Sequence, residues 1–251
     1  LIIMKNILSK LIQKTGFQVS RLPGKSNNPS DEYYQIKRLL STENNPIIFD
    51  VGAHVGEMAK RYRKIFPNAK IYSFEPILDC FNHLRELFKA DNDLHIFPFA
   101  ISDQPGKKEF FINQNLGSSS LLSSTSRGKN LWGNRALETH SQTKVQCQTL
   151  DQFCSENDIE HIHLLKLDIQ GAELDALKGA ERILESGMVD IIFTEISIFQ
   201  SYNNQGDFHQ ILSLLNEFNF ELFNIYKAIR RNGRLTEVDV MFIRSGLLSG
   251  S

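Results

Sequence analysis

Residues 49–58 read Phe-Asp-Val-Gly-Ala-His-Val-Gly-Glu-Met, and this stretch decides the fold. The apolar residues that lead to Asp50 predict a buried strand, and the residues after Gly56 have the spacing of a helix. A strand that passes through a glycine turn into a helix is the first half of a βαβ unit. The turn combines a carboxylate with two glycines, Gly52 and Gly56, which leave the backbone open to a ligand. We therefore expect a binding site at this turn.

The alternation of strand and helix continues outward from this turn. Short apolar runs predict strands, and apolar residues three or four apart predict helices. The predicted strands are 47–51, 70–74, 94–101, 163–169 and 190–197, the predicted helices are 31–41, 55–66, 173–186, 208–218 and one that begins at Pro76, and the predicted C-terminal hairpin joins 221–231 to 237–244. Strands joined by helices pair in parallel. The predicted class is an α/β fold, a doubly wound, mostly parallel Rossmann-like sheet with an antiparallel C-terminal hairpin.

The chain divides into an N-terminal extension and one main domain. Residues 1–45 are predicted to be a helix with apolar positions from Met4 onward, followed by a turn-rich linker over 20–31. We expect the helix to pack on the domain, and association with a membrane surface is the less favoured alternative. The main domain is predicted over 46–245. Within it, residues 115–142 are rich in Ser, Gly and Asn, and a loop of this length is expected to cover the substrate.

Composition and charge argue against several classes of function. The net charge of −1 gives the chain no overall attraction for nucleic acid, so nucleic acid is not an expected partner. No run approaches the ~18 apolar residues of a membrane span. The apolar start of the chain lacks the small-residue cleavage site of a signal peptide. The three cysteines form no C-x-x-C pair, which favours a reducing compartment, and we expect a cytoplasmic protein.

The acid at the end of the second predicted strand, Glu75, indicates which ligand the glycine turn binds. An acid at this place can accept hydrogen bonds from both hydroxyls of a ribose. A dinucleotide would also bring a pyrophosphate to the turn, where Asp50 would repel it, and the glycine spacing G-x-x-x-G differs from G-x-G-x-x-G. A ligand with a ribose and a positive charge fits better, and S-adenosylmethionine is such a ligand. A nicotinamide-dependent oxidoreductase and a nucleoside-binding module without catalysis remain alternatives.

Six short motifs then carry a resemblance to a known family. They are Asp-Val-Gly-Ala-His-Val-Gly (50–56), Phe-Glu-Pro (74–76), Gly-Ser-Ser-Ser-Leu (117–121), Thr-Leu-Asp (149–151), Leu-Lys-Leu-Asp-Ile-Gln-Gly-Ala-Glu-Leu (165–174) and Leu-Lys-Gly-Ala (177–180). The chain resembles the FkbM family of class I S-adenosylmethionine-dependent methyltransferases over roughly residues 46–244. It departs from many relatives at His54, where they have Asn, and at Gln170, where they have Glu.

The resemblance implies a function and a set of cofactor-binding residues. The implied reaction is methylation of a hydroxyl oxygen, commonly on a sugar of a glycan or natural product, so the expected partner is a small-molecule or glycan acceptor. S-adenosylmethionine is the implied cofactor. The residues predicted to bind it are Asp50, Gly52, His54, Gly56, Glu75 and Pro76, together with Ala100, Ile101, Ser102 and Asp103, which are expected to meet the adenine.

Two acids at later strand ends are the candidates for catalysis. Asp168 lies near the end of the fourth predicted strand and Glu195 near the end of the fifth. If the fourth strand lies beside the first, Asp168 borders the methyl group and serves as general base or as the group that orients the acceptor. Lys166 either has a functional role or pairs with one of these acids in the interior. No metal site is predicted, and His161 and His163 are expected to be structural.

Overall fold

The structure is a computed structural model that describes residues 31–133 and 135–247. The helix predicted from Met4 and the linker before residue 31 lie outside the described residues. The helices are α1 (Glu32–Leu39), α2 (Glu57–Ile65), α3 (Leu78–Leu87), α4 (Ser126–Trp132), α5 (Leu150–Glu156), α6 (Glu173–Lys178), α7 (Glu181–Glu185) and α8 (Phe208–Glu217). The strands are β1 (Ile47–Val51), β2 (Lys70–Phe74), β3 (Leu94–Phe97), β4 (Ala100–Ile101), β5 (Gly106–Asn113), β6 (Thr139–Gln148), β7 (Ile162–Leu167), β8 (Val189–Ser197), β9 (Phe220–Arg231) and β10 (Arg234–Arg244). Within the described ranges, no helix has both the length and the apolar character needed to cross a membrane.

Seven strands form the main sheet, in the order β3-β2-β1-β7-β8-β10-β9. The first five strands in this order pair in parallel, and β10 is antiparallel to both of its neighbours. This arrangement confirms the predicted class, including the C-terminal hairpin. The winding reverses between β1 and β7, so the carboxyl ends of these two strands border the crevice where ligands bind in open parallel sheets.

Both faces of the main sheet are buried. Because successive residues of a strand point to opposite faces, Phe49 of β1 belongs to one apolar cluster and Ile48 belongs to the other. In the first cluster the ring of Phe153 packs edge-on against Phe74 and Phe97, with 4.9 and 4.8 Å between ring centroids. These packed faces hold the ends of β1, β2 and β7 in place and therefore fix the side chains that follow them.

The prediction of a single third strand over 94–101 is wrong. β3 ends at Phe97 and β4 begins at Ala100, and the two strands belong to different sheets. Pro98 lies at the break, and proline has no N–H to donate to a sheet. The second sheet, in the order β4-β6-β5, was not predicted. β6 is exposed over most of its length, so its sequence lacks the apolar alternation that indicates a strand.

The helix predicted over 173–186 is two short helices, α6 and α7. The break lies at Gly179, where a Cβ would be 2.1 Å from the carbonyl oxygen of Ser102. Only glycine allows this close approach between the end of α6 and the loop after β4. The carboxylate of Asp151 then accepts hydrogen bonds from two backbone N–H groups in the first turn of α7, at 2.9 and 3.0 Å. The N–H groups that begin a helix need such an acceptor, so the break is stabilised.

Residues 115–142 have more regular structure than the sequence predicted. They contain a 3₁₀ turn (Leu116–Ser118), helix α4 and the first residues of β6. Hydrogen bonds join the segment to the loop after β8, because Thr125 N–H donates to the Ser201 carbonyl at 2.9 Å and the Tyr202 hydroxyl donates to the Ser118 carbonyl at 2.8 Å. The segment is therefore packed on the domain, and its role as a substrate cover stays a prediction.

Candidate active site

The turn after β1 has a backbone that requires glycine. Gly52 and Gly56 have φ values of +81° and +82°, in the left-handed region that favours glycine. A Cβ on Gly52 would lie 2.0 Å from the carbonyl oxygen of Asp168, so this glycine lets the end of β7 approach the turn. A Cβ on Gly56 would lie 2.7 Å from Leu84, so the second glycine lets α3 pack against the start of α2. Both glycines thus shape the site by allowing neighbouring elements to pack closely around the turn.

Glu75 follows β2 and faces the same turn. Its carboxylate accepts a hydrogen bond from His54 N–H and another from Ile77 N–H, each at 2.8 Å. Burial raises the pKa of Glu75 to about 7, although the two N–H donors oppose this rise. A carboxylate has about four acceptor positions, so further hydrogen bonds remain available. Two adjacent hydroxyls of a ribose are suitable donors for them.

A cleft with about 680 Å³ of empty space opens where β1, β2 and β7 end. The lining includes the predicted residues Gly52, His54, Glu75, Pro76, Ala100, Ile101 and Asp168. It also includes apolar residues that the sequence reading did not select, among them Ile77, Phe99, Phe110 and Leu121. A carboxylate surrounded by apolar side chains fits a nucleoside, whose hydroxyls and flat base need these two environments.

Ser102 and Asp103 were predicted to meet the adenine, and they do not line the cleft. The Lys108 ammonium donates to Ser102 Oγ at 2.8 Å and forms an ion pair with Asp103. The hydrogen bond from Lys108 lowers the pKa of Asp103. Because the chain enters the second sheet at β4, both residues lie against that sheet instead. Contact between these two side chains and the adenine is therefore not supported.

Asp50 is completely buried behind the turn, and it is also absent from the cleft lining. Its carboxylate lies 3.0 Å from the ammonium of Lys166, yet neither oxygen has a well-aligned hydrogen bond among the described residues. The side chain points to the sheet face that α2 covers, because the parity of β1 places it with Ile48. The sequence predicted that Asp50 offsets the cofactor's positive charge. In the structure Lys166 is its counter-charge, and direct contact with the cofactor is not supported.

Lys166 connects the two halves of the site. Its ammonium donates to the carbonyls of Gly52 and Val51, at 3.0 and 3.3 Å, and lies 3.9 Å from the carboxylate of Asp168. Burial disfavours the charge, but the carboxylates of Asp50 and Asp168 raise the pKa of Lys166 above its ordinary value. Of the two alternatives for Lys166, the structure shows a buried ion pair, but its nearer partner is Asp50 and not Asp168 or Glu195. The same side chain also holds the glycine turn.

Asp168 and Glu195 meet through the side chain of Gln170. The Gln170 amide N–H₂ donates to both carboxylates at 2.9 Å, and its oxygen accepts a hydrogen bond from the Tyr202 hydroxyl at 3.1 Å. Burial and the neighbouring Asp168 raise the pKa of Glu195 well above its ordinary value, which favours the protonated form. The Asp168 side chain is 41% exposed and lines the cleft. Of the two acids predicted to be catalytic, Asp168 is therefore the one whose carboxylate is open to the cleft.

A second cavity, with about 510 Å³ of empty space, adjoins the cleft and shares Gly117 and Gln170 with it. We call it the acceptor cavity. Its walls combine acids, aromatic rings and amides: Glu195, Glu237, Trp132, Tyr202, Asn115 and Gln170. The sequence reading did not select Tyr202 or Glu237. Glu237 begins the predicted strand 237–244, and an acid at a strand end is a signal that could have marked it as a site residue. No local pattern marks Tyr202.

His161 and His163 lie at the amino end of β7, at the opposite end of this strand from the cleft. Together with Asp190 their ligand atoms fall within 4.8 Å of one another. The Asp190 carboxylate is already paired with Arg244 at 2.8 Å, and the Ile47 N–H donates to Nδ1 of His163. A guanidinium in the cluster disfavours a metal cation, because like charges repel. The structural role that the sequence predicted for the two histidines agrees with these contacts.

The fold and the cleft define a class of protein: a Rossmann-like α/β protein whose cleft combines an acid with apolar side chains, as a nucleoside requires. The model of the methyltransferase FkbM domain matches residues 50–222. The 2-O-methyltransferase NoeI of Sinorhizobium fredii (strain NBRC 101917 / NGR234) is 31% identical over 188 residues, which cover 73% of this chain and 76% of that protein. The methyltransferase sdnD of Sordaria araneosa is 29% identical over 173 residues, covering 61% of this chain and 66% of that protein.

The chain belongs to the FkbM family of methyltransferases, and its cofactor is S-adenosylmethionine. Among solved structures, the magnesium protoporphyrin IX methyltransferase (ChlM) from Synechocystis PCC 6803 with bound SAM covers 96% of this chain and 97% of its own, with 10% identity and a TM-score of 0.47. The family assignment argues against the nicotinamide-dependent oxidoreductase that the sequence had left open. The residues of the cleft fit the cofactor, because Glu75 has acceptor positions for the ribose and apolar side chains surround the rest.

Proposed function

We propose that the chain transfers a methyl group from S-adenosylmethionine to a hydroxyl oxygen of a carbohydrate, in a glycan or a natural product. The observation that carries this proposal is the junction of two cavities at Gly117 and Gln170, beside Asp168. One cavity fits the nucleoside, and the other has the acids, amides and aromatic ring that bind hydroxyl-rich rings. A relative at 31% identity is named as a 2-O-methyltransferase, which supports oxygen as the acceptor atom.

The side chains have distinct tasks in this reaction. S-adenosylmethionine supplies an electrophilic methyl group bound to a positively charged sulfur. Glu75 binds the ribose hydroxyls, and Lys166 keeps the glycine turn in position through two carbonyl groups. A hydroxyl is a weak nucleophile until its proton has an acceptor, and the carboxylate of Asp168 accepts that proton. Positioning contributes as well, because the transfer is an in-line displacement between two aligned partners.

Gln170 and Trp132 act on the side of the site where the acceptor binds. The Gln170 amide fixes the Asp168 carboxylate at 2.9 Å and ties it to Glu195, so the base has a defined orientation. Trp132 lies in the wall of the acceptor cavity, where its ring can stack on the apolar face of a sugar. Its indole N–H is held by Ser201 Oγ at 3.0 Å, which fixes the ring. These contacts support a cyclic polyol as the acceptor.

The test uses the purified chain, S-adenosylmethionine and a panel of neutral and anionic oligosaccharides, with mass spectrometry to locate the added methyl group. Each acceptor is paired with a matched sugar whose 2-hydroxyl is replaced by hydrogen. We expect methylation of at least one parent sugar and none of its 2-deoxy partner. Methylation at nitrogen or carbon of another compound class would contradict the carbohydrate proposal. Tight cofactor binding without a single turnover on any acceptor would instead support the non-catalytic nucleoside-binding module.

The cellular context is also part of the proposal. Cys80, Cys147 and Cys154 are buried free thiols, which agrees with a reducing compartment such as the cytoplasm. Residues 115–142 supply Trp132 and Asn115 to the acceptor cavity, which supports their predicted role as a substrate cover. Nucleic acid remains an unexpected partner on the basis of the net charge.

A further inference from the structure

Three arginines gather beside the acceptor cavity, and we call them the arginine cluster: Arg127, Arg231 and Arg234. The guanidinium of Arg231 lies 4.0 Å from the ring centroid of Trp132, which is a wall of the acceptor cavity. The guanidinium carbons of Arg127 and Arg234 lie 4.6 and 5.8 Å from the ring centroid of Phe199. The cluster therefore joins α4 to the turn of the β9–β10 hairpin, directly behind the ring that faces the acceptor.

The positive charge of the cluster has no salt bridge among the described residues. The acid that acts on it electrostatically is Glu237, because burial raises the pKa of this acid and the charge of Arg231 opposes that rise. Arg231 and Arg234 are directly opposite each other in the antiparallel register of β9 and β10, and like charges in this position destabilise a strand pair. Over 31–133 and 135–247, none of the three forms an ion pair with a carboxylate. The Nε of Arg231 is buried and has no hydrogen-bond partner. By contrast, Arg63 and Arg244 are each paired with an aspartate.

Stacking prepares these guanidiniums for a particular kind of ligand. A guanidinium that lies flat on an aromatic ring is held in place while its N–H edges stay free. Those edges form a rigid fork that matches the oxygens of phosphate and sulfate groups. An exposed lysine would lack both properties. The cluster thus has the charge and the donor groups that an oxyanion site needs.

The acceptor cavity itself is unsuited to an anion, because its described lining contains the carboxyl groups of Glu195 and Glu237 and no lysine or arginine. A ligand that uses both regions must place an uncharged, hydroxyl-bearing ring near Glu195 and a negative group near the arginines. Trp132 belongs to both regions and therefore connects them. The electrostatics select an acceptor with these two ends.

We propose that the arginine cluster binds a phosphate or sulfate ester carried by the acceptor, so that the substrate is a sugar with an anionic substituent. This inference rests on the proposed function for the identity of the methylated ring. The binding of the oxyanion itself does not depend on methyl transfer, so the two proposals fail separately.

The test measures binding of inorganic pyrophosphate by calorimetry at low ionic strength. The double variant Arg231→Gln/Arg234→Gln should weaken binding by about tenfold or more, since each charge-assisted fork is lost. Arg127→Gln should weaken it by a smaller factor. Lys129→Gln is the matched control, because Lys129 is an exposed cation on the same helix outside the cluster, and its effect should stay within about twofold. Thermal melting of each variant confirms that it is folded.

Further arms of the experiment distinguish the source of the oxyanion. Glucose 6-phosphate and glucose 6-sulfate should compete with pyrophosphate, whereas glucose should not. Absence of pyrophosphate binding to the wild type, or equal binding to the double variant, would overturn the oxyanion site. Tighter binding of a short single-stranded oligonucleotide than of any sugar ester would assign the cluster to nucleic acid instead. If the wild type does not bind S-adenosylmethionine, that result contradicts the methyltransferase proposal and leaves the oxyanion site untouched.

Discussion

At the scale of single residues, the site depends on where each carboxylate is buried. Glu75 is held by two backbone N–H groups and faces the cleft, whereas Asp50 is sealed behind the turn with Lys166. Glu195 and Asp168 share one amide, yet burial pushes the pKa of Glu195 upward while Asp168 stays accessible. Four acids of similar chemistry therefore have different tasks, because each has its own environment.

Glu75 should make cofactor binding depend on pH. Its pKa is about 7 in the free protein, and hydroxyl donors favour the charged form. Affinity for S-adenosylmethionine should therefore rise with pH, by about tenfold between pH 6 and pH 8, as the fraction of charged Glu75 increases. Calorimetry across this range measures the change. Glu75→Gln should bind more weakly by about 1–3 kcal/mol at pH 8, and its affinity should vary less with pH. An equally steep pH profile in the variant would assign the titration to another group.

Asp168 should serve the transfer step more than cofactor binding. Asp168→Asn keeps the size of the side chain but removes the basic oxygen, so turnover should fall by about 10²–10⁴-fold. Affinity for S-adenosylmethionine should change by less than about tenfold, because Glu75 supplies the main polar contact.

The matched control for this prediction is Glu195→Gln. The raised pKa of Glu195 favours its neutral form, so a neutral amide should lower turnover much less than Asp168→Asn does. Steady-state kinetics and melting temperatures of both variants provide the comparison. Near-normal turnover in a folded Asp168→Asn variant would show that the base is elsewhere, and Glu195 would be examined next.

At the scale of elements, the seam between β1 and β7 positions the site. Asp50 and Lys166 are register partners in these two strands, and Lys166 also binds the turn that follows β1. One buried side chain thus links a strand, its neighbour and the cofactor turn. The break between α6 and α7 has a similar origin, because Gly179 must leave room for the Ser102 carbonyl.

Removal of Lys166 alone should lower the free energy of unfolding more than removal of the charges of both Lys166 and Asp50. Lys166→Met leaves the Asp50 charge buried and unpaired, which should lower the free energy of unfolding by about 3–5 kcal/mol. The double variant Asp50→Asn/Lys166→Met should recover much of this loss. Lys89→Met is the control, because the Lys89–Glu86 pair is exposed and contributes less than about 1 kcal/mol. Denaturant unfolding of these variants and of the single variant Asp50→Asn gives the free energies of unfolding, and simple additivity of the two single changes would show that the pair is not coupled.

At the scale of the whole molecule, the buried acids combine into a dependence of stability on pH. Burial raises the pKa values of Glu75, Glu173 and Asp239 to about 7 each, and it raises that of Glu195 as well. Glu75 and Glu195 lie at the two cavities and Asp239 lies beside Lys227 of β9, so different parts of the assembled fold remove these acids from water. Together they make the free energy of unfolding of the whole domain depend on pH.

The protein without cofactor should become less stable as the pH rises from about 5 to 8. Each of these acids has a higher pKa folded than unfolded, so the folded state binds more protons in this window and deprotonation favours unfolding. The protonated His161–Asp190 pair acts in the same direction, since Asp190 raises the pKa of His161. The melting temperature should fall by about 2–4 °C for each kcal/mol lost. Scanning calorimetry measures this trend, and a melting temperature that rises across the window would contradict it.

The sequence by itself determined the α/β class, the glycine turn, the position of Glu75 and the strand that leads to Asp168. These features depend on local spacing, because an apolar period fixes the element and the residue after a parallel strand lies at the binding edge. The two misplaced strand and helix boundaries, at Pro98 and Gly179, depend on which sheet or loop packs nearby.

Only the tertiary structure decided which side chains face the cleft and which lie behind it. Asp50 belongs to the same motif as Gly52, yet the parity of β1 and the position of Lys166 on another strand direct its carboxylate into the interior. Tyr202 and Glu237 reach the acceptor cavity from distant parts of the chain. Burial, charge pairing and the meeting of remote segments are properties of the packed chain, and no local pattern in the sequence encodes them.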